Sequence, residues 1–208
     1  MSDPTKRGRS GVTRRAFFRG AGIAAATGAI LGEMPAFAQE EKKPAGPRTQ
    51  GPGPVTIALS VNGKKREISV EPRRTLLDAL RKDLDLTGAK PVCDRGTCGA
   101  CTVWLDGVPV YACTLLALEC EGREITTVEG LGTPESPGAV QRAFWREDAM
   151  QCGFCTPGFV MSVAYAVKVH GKGLTEQQVK AATAGNLCRC GTYPHVVRAA
   201  LAAAKERP

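Results

Sequence analysis

The residues most able to do chemistry in this 208-residue chain are its nine cysteines. Three stand in one run, Cys93-Asp94-Arg95-Gly96-Thr97-Cys98-Gly99-Ala100-Cys101, and Cys113 follows after a gap. The C-x4-C-x2-C spacing with a distant fourth thiol is that of a 2Fe–2S site. Soft thiolates also suit zinc, but zinc sites usually pair two short knuckles of similar spacing. Here three ligands share a loop and the fourth stands alone. Gly96 and Gly99 suit a loop that must turn its backbone N–H groups toward sulfur.

A second set follows: Cys152 and Cys155 as C-x2-C, then Cys188 and Cys190 as C-x-C. A redox disulfide between Cys152 and Cys155 would leave the second pair unexplained, and a Cys188–Cys190 bridge would close a strained, very small ring. Two groups of four, each around a 2Fe–2S cluster, account for all but Cys120, whose plain reading is a small buried apolar side chain.

The elements around these residues change period midway. Val55–Val61 alternates as a strand, Asn62-Gly63 signals a tight hairpin, and Lys65–Val70 returns. Thr75 caps a helix carrying Leu76, Leu77, Leu80 and Leu84, with Gly88 as its stop. Thr102–Leu105 and Val108–Ala112 form a second hairpin across Asp106-Gly107, which brings Cys113 back to the loop. Ile125–Val128 is a last strand. From about residue 137 the period is helical. Val140, Phe144 and Trp145 mark one helix, and Phe159 to Val167 a second. A Thr175/Gln178 capping box opens a third, through Ala184, and Val196 to Ala204 marks a fourth. The expected fold is α+β: a β-grasp 2Fe–2S domain over 55–130, as in plant-type ferredoxins, and a four-helix 2Fe–2S domain over 137–208. Each second-set pair precedes a helix, whose positive end favours thiolates and an anionic cluster.

The amino terminus reads as an address. Arg14-Arg15, an apolar stretch from Ala21 to Leu31 too short to span a bilayer, and Ala36-Phe37-Ala38 predict a twin-arginine signal over 1–38, cleaved after Ala38. That route carries folded proteins, so clusters assembled among reduced cytoplasmic thiols would reach an oxidising periplasm intact. A Pro/Gly linker spans 39–54. Of the formal charge of +8, half lies in the signal. The remainder is a weak basic balance without interleaved aromatics, which argues against nucleic acid. No later segment reaches membrane-spanning length.

Three runs, CDRGTCGACTV (Cys93–Val103), QCGFCTPG (Gln151–Gly158) and GNLCRCGTY (Gly185–Tyr193), resemble the iron–sulfur subunit of the molybdenum hydroxylases, the xanthine dehydrogenase and aldehyde oxidoreductase family. With the export signal, the chain looks most like the small subunit of the periplasmic aldehyde oxidoreductases. Many relatives read Cys-Arg-Cys-Thr-Gly-Tyr where this chain has Cys-Arg-Cys-Gly-Thr-Tyr, a swap outside the ligands. The resemblance implies an outer cluster on Cys93, Cys98, Cys101 and Cys113, facing flavin. It implies an inner cluster on Cys152, Cys155, Cys188 and Cys190, near the molybdenum cofactor, with Gln151 touching the pterin. It also implies a large molybdopterin subunit and an FAD subunit as partners in a heterotrimer. This chain would relay single electrons and hold no catalytic residue; His170 and His195 read as surface or turn residues. A stand-alone exported electron carrier is the other reading.

Overall fold

The structure is a computed structural model that describes residues 51–206. The expected signal (1–38) and residues 39–50 of the linker lie outside the described residues, as do 207 and 208.

β1 (Val55–Val61) and β2 (Lys64–Val70) pair antiparallel. Asn62 and Gly63 both take positive φ, 52° and 73°, the pair of dihedrals a two-residue type I′ hairpin demands. β3 (Thr102–Leu105) and β4 (Val108–Tyr111) pair across Asp106 and Gly107, at φ 51° and 78°, in the same way. β5 (Glu124–Thr126) runs parallel to β1 and antiparallel to β3, giving the sheet order β2-β1-β5-β3-β4. The inward side chains Ile57, Leu59, Val61, Val103 and Ile125 bury against Leu76, Leu77 and Leu80.

Those leucines come from a helix that starts as expected. The Thr75 hydroxyl accepts from the Asp78 amide at 3.1 Å, capping α1 (Leu76–Asp78). It then widens: Ala79–Asp83 is a π turn, with the Leu84 amide reaching back to the Ala79 carbonyl at 3.1 Å. The element therefore stops near Leu84, short of Gly88. β4 also ends one residue early, because Ala112–Thr114 tightens into a 3-10 turn that carries Cys113.

Four helices follow: α2 (Ala139–Arg146), α3 (Thr156–His170), α4 (Glu176–Ala182) and α5 (Tyr193–Lys205). Their core is Val140, Phe144, Phe159, Val163, Val179 and Val196. Trp145, which the helical pattern counted with the apolar face, is 78 % exposed. Phe144 alone of that pair points inward. The two cores meet where Trp104 of β3 lies against α3. Its indole N–H donates to the Met161 carbonyl at 3.0 Å, Tyr165 meets it edge-on, and the Lys168 ammonium sits over its ring, 5.3 Å from the centroid. No described helix is long and apolar enough to cross a membrane.

Candidate iron–sulfur sites

Between α1 and β3 the chain makes a loop with little regular structure, and backbone dihedrals explain how it can. Asp94, Gly96 and Gly99 all take positive φ, at 52°, 72° and 68°. These reversals turn amides toward sulfur. The Gly96 N–H donates to Cys113 Sγ and the Thr97 N–H to Cys93 Sγ, each at 3.3 Å. Cys98, Cys101 and Cys113 are buried, and Cys93 is half-buried. The thiols meet as two pairs: Cys93 interacts with Cys98, and Cys101 with Cys113, while Cys101 also feels Cys98.

The second group also sets its thiols beside one another. Cys155 stands at the N-cap of α3, with Pro157 in the first turn, and interacts with Cys188 and Cys152. Cys190 interacts with Cys152 and Cys188. Cys152 is exposed and the other three are half-buried.

The electrostatics show that neither group can ionise freely on its own. The Arg95 amide, with help from Thr97 and Cys98, draws the Cys93 thiol down to about 6. Burial, with the neighbouring Cys113 and Cys98 thiols adding to it, pushes Cys101 up to about 12. Burial likewise pushes Cys155 up to about 12, with Cys188 adding to the rise. At Cys188 burial works upward, but hydrogen bonds from Thr192 and Cys155 outweigh it and bring the thiol to about 7. Each group thus mixes ready thiolates with reluctant ones. A bound cation would remove the like-charge cost and release protons as it enters.

The donor set tests which cation fits. Both groups are all-sulfur, the donor set that holds a 2Fe–2S cluster. Among the described residues, no three His, Cys, Asp or Glu side chains converge closely enough for one metal ion.

The loops also touch each other. The Leu187 amide, one residue before Cys188, donates to the Cys98 carbonyl at 2.9 Å. Asn186, 3 % exposed, donates from Nδ2 to the Gly99 carbonyl at 3.0 Å and accepts from the Ser162 hydroxyl at 2.8 Å. Tyr111 donates its hydroxyl to the Gly185 carbonyl at 3.3 Å. Three glycines permit this approach. A Cβ on Gly158 would lie 2.2 Å from the Gly99 oxygen, one on Gly99 would lie 2.6 Å from Asn186 and Gly185, and one on Gly185 would lie 1.9 Å from the Tyr111 hydroxyl.

Of the other residues singled out, Gln151 is exposed directly before Cys152. Arg189 is exposed. His170 contacts the Gln178 amide group, and His195 lies 2.9 Å from the Glu147 carbonyl and 3.0 Å from Arg198. Cys120 is fully buried, and burial pushes its thiol up to about 11. Sequence reasoning missed Asn186, Thr192 and Tyr193, although they lie inside the matched run Gly185–Tyr193. The Tyr193 oxygen accepts from the Cys188 amide at 2.8 Å. Thr192 places its hydroxyl 3.2 Å from Cys188 Sγ.

Comparison with known proteins agrees with this reading. Residues 59–127 match the family described as a 2Fe–2S iron–sulfur cluster binding domain, and residues 127–201 match the 2Fe–2S binding domain family. The chain is 38 % identical to the aldehyde oxidoreductase iron–sulfur-binding subunit PaoA of Escherichia coli O157:H7, over 94 % of this chain and 89 % of that one. It is 46 % identical to the nicotine 6-hydroxylase small subunit of Paenarthrobacter nicotinovorans, over 71 % of this chain and 88 % of that one. The structure of quinoline 2-oxidoreductase from Pseudomonas putida 86 superposes with a TM-score of 0.69 at 40 % identity, covering 73 % of this chain and 94 % of that chain. A β-grasp 2Fe–2S domain followed by a helical 2Fe–2S domain, carried in one small chain, is the architecture they share, and this protein belongs to the iron–sulfur subunits of the molybdenum hydroxylase family.

Proposed function

We propose that this chain is the electron-relay subunit of an exported molybdenum-containing aldehyde oxidoreductase. It would hold one 2Fe–2S cluster on Cys93, Cys98, Cys101 and Cys113 and a second on Cys152, Cys155, Cys188 and Cys190. Such clusters supply reversible one-electron chemistry, with potentials set by hydrogen bonds to sulfur, charge and exposure. The protein's part is to hold the thiolates, aim amides at them and fix the two loops against each other. The observation that carries the reading is the Leu187–Cys98 hydrogen bond, which joins the two ligand loops by main chain and one 2.9 Å step.

Partners are proposed on both sides: a large molybdopterin subunit beside Gln151 and Cys152, and an FAD subunit beside the Cys93 loop, in a heterotrimer. Exposed apolar side chains support docking there. Val92 next to Cys93, Phe154 between Cys152 and Cys155, and Leu187 next to Cys188 are each more than half exposed. The aldehyde reading is supported by the 38 % identity to the aldehyde oxidoreductase subunit, a match that at 94 % of this chain extends beyond the two cluster domains into the amino-terminal segment. Export is supported by Arg14-Arg15 and the small residues at Ala36 and Ala38.

The native complex, purified from periplasm and treated anaerobically with an aldehyde, is expected to contain molybdenum, flavin and two EPR-distinct 2Fe–2S centres. A chain that purifies alone, with no aldehyde-dependent reduction, would overturn the relay reading in favour of a carrier. Replacing Arg14 and Arg15 by lysine should leave the protein in the cytoplasm; unchanged export would refute the twin-arginine assignment.

A further inference from the structure

We propose that Thr192 sets the reduction potential of the second site. Its hydroxyl donates a hydrogen bond to Cys188 Sγ and makes the cluster there easier to reduce. The inference rests on the ligand assignment above and goes beyond it to a residue that is not a ligand.

Thr192 Oγ1 lies 3.2 Å from Cys188 Sγ. As a cluster ligand Cys188 is a thiolate with no proton to give, so the hydroxyl is the donor. Two observations show that this placement is specific. First, Thr192 is the N-cap residue of α5, where a threonine oxygen ordinarily accepts a backbone N–H. It makes no such bond. Thr75 and Thr175, at the N-caps of α1 and α4, both do, to the Asp78 and Gln178 amides. Second, Thr192 is 3 % exposed, so its hydroxyl needs a partner inside the protein. Gly191, at φ +79°, turns the chain between Cys190 and Thr192 and swings the hydroxyl back over the ligand loop.

The effect on potential follows from charge. Reduction adds one negative charge to the site, and a hydrogen bond to sulfur is stronger when that sulfur is more negative. A donor therefore favours the reduced form. At the first site the equivalent donors are main-chain amides, Gly96 and Thr97, which only a substitution by proline would remove. At the second site the Thr192 donor is a side chain, and the potential can be moved without touching a ligand.

The test is an EPR-monitored redox titration of the loaded complex with Thr192→Val, which keeps the shape and removes the hydroxyl. Thr192→Ala serves as a second variant without the crowding of a second methyl, and Thr192→Ser as the conservative control. In the Val and Ala variants one of the two 2Fe–2S signals is expected to shift to more negative potential. The expected size is about tenfold in the oxidised-to-reduced ratio, or ~59 mV for one electron. The other signal and the iron content stay unchanged, and Ser stays at the wild-type value. Two intact signals with unmoved midpoints in Val or Ala overturn the proposal. A wild-type complex without two 2Fe–2S signals overturns the ligand assignment instead.

Discussion

The Cys98 carbonyl accepts a hydrogen bond from the Leu187 amide at 2.9 Å, so the loop that follows the sheet's helix and the loop that precedes α5 are bonded main chain to main chain. Next to it, Asn186 bridges Gly99 and Ser162. Asn186→Ala would strand the buried Ser162 hydroxyl, and an unsatisfied buried group costs about 1–3 kcal/mol. The variant is expected to lower Tm while both EPR signals persist, and to weaken the magnetic coupling between them. Wild-type Tm and coupling would show that Asn186 does not hold the loops together.

Gly158→Ala attacks the same junction by sterics. The new Cβ would meet the Gly99 oxygen at 2.2 Å and the Ala100 Cα at 3.1 Å, both main-chain atoms. Overpacking of this kind costs about 1–3 kcal/mol. The expected outcome is reduced holo-protein yield and slower reduction of flavin in stopped-flow experiments on the intact complex. Normal flavin reduction would mean that the interval between the loops is not critical.

Cys155→Ala removes one proposed ligand at the α3 N-cap. The relay reading expects one 2Fe–2S signal to vanish, the other to remain, and aldehyde-driven flavin reduction to fall by orders of magnitude. Flavin reduced at the wild-type rate would exclude a path through the second site.

Cys120 provides a contrast. It lies fully buried in the sheet-side core, with its thiol raised to about 11 by burial. A raised acid pKa in the folded state favours the neutral thiol there. Its contribution is fully present below pH 9, the unfolded value, and is lost as pH rises toward 11. Cys120→Ala should therefore flatten the alkaline limb of the stability profile between pH 9 and 11 and leave both EPR signals intact. Loss of a cluster signal in that variant would assign Cys120 a role it does not have here.

Much of this was legible locally. Asn62-Gly63 and Asp106-Gly107 place the hairpins because only positive φ closes such turns, and the Thr175/Gln178 capping box opens α4 as a reciprocal pair of local hydrogen bonds. The cysteine spacings sort the thiols into two fours, and the fold sets thiols of the same four beside one another. What was not legible depends on long-range contact or on local geometry that spacing does not encode. Gly158 and Gly185 look like helix-start and loop glycines until Gly99 and Tyr111 are seen against them. The π turn at Ala79–Asp83 keeps the same leucines inward and shortens the helix, which a period count does not register. Trp145 follows Phe144 on a short helix, and only the position of the core shows which of the two is inside.

The bonded junction between the loops has a bearing on how the protein is made. Each ligand loop is part of the other's scaffold, since Cys98 and Gly99 are held by Leu187 and Asn186. Filling one site stiffens the wall of its neighbour and lowers the ordering entropy the second filling must overcome. Maturation should then be cooperative, with empty and doubly filled chains predominating and half-filled chains scarce.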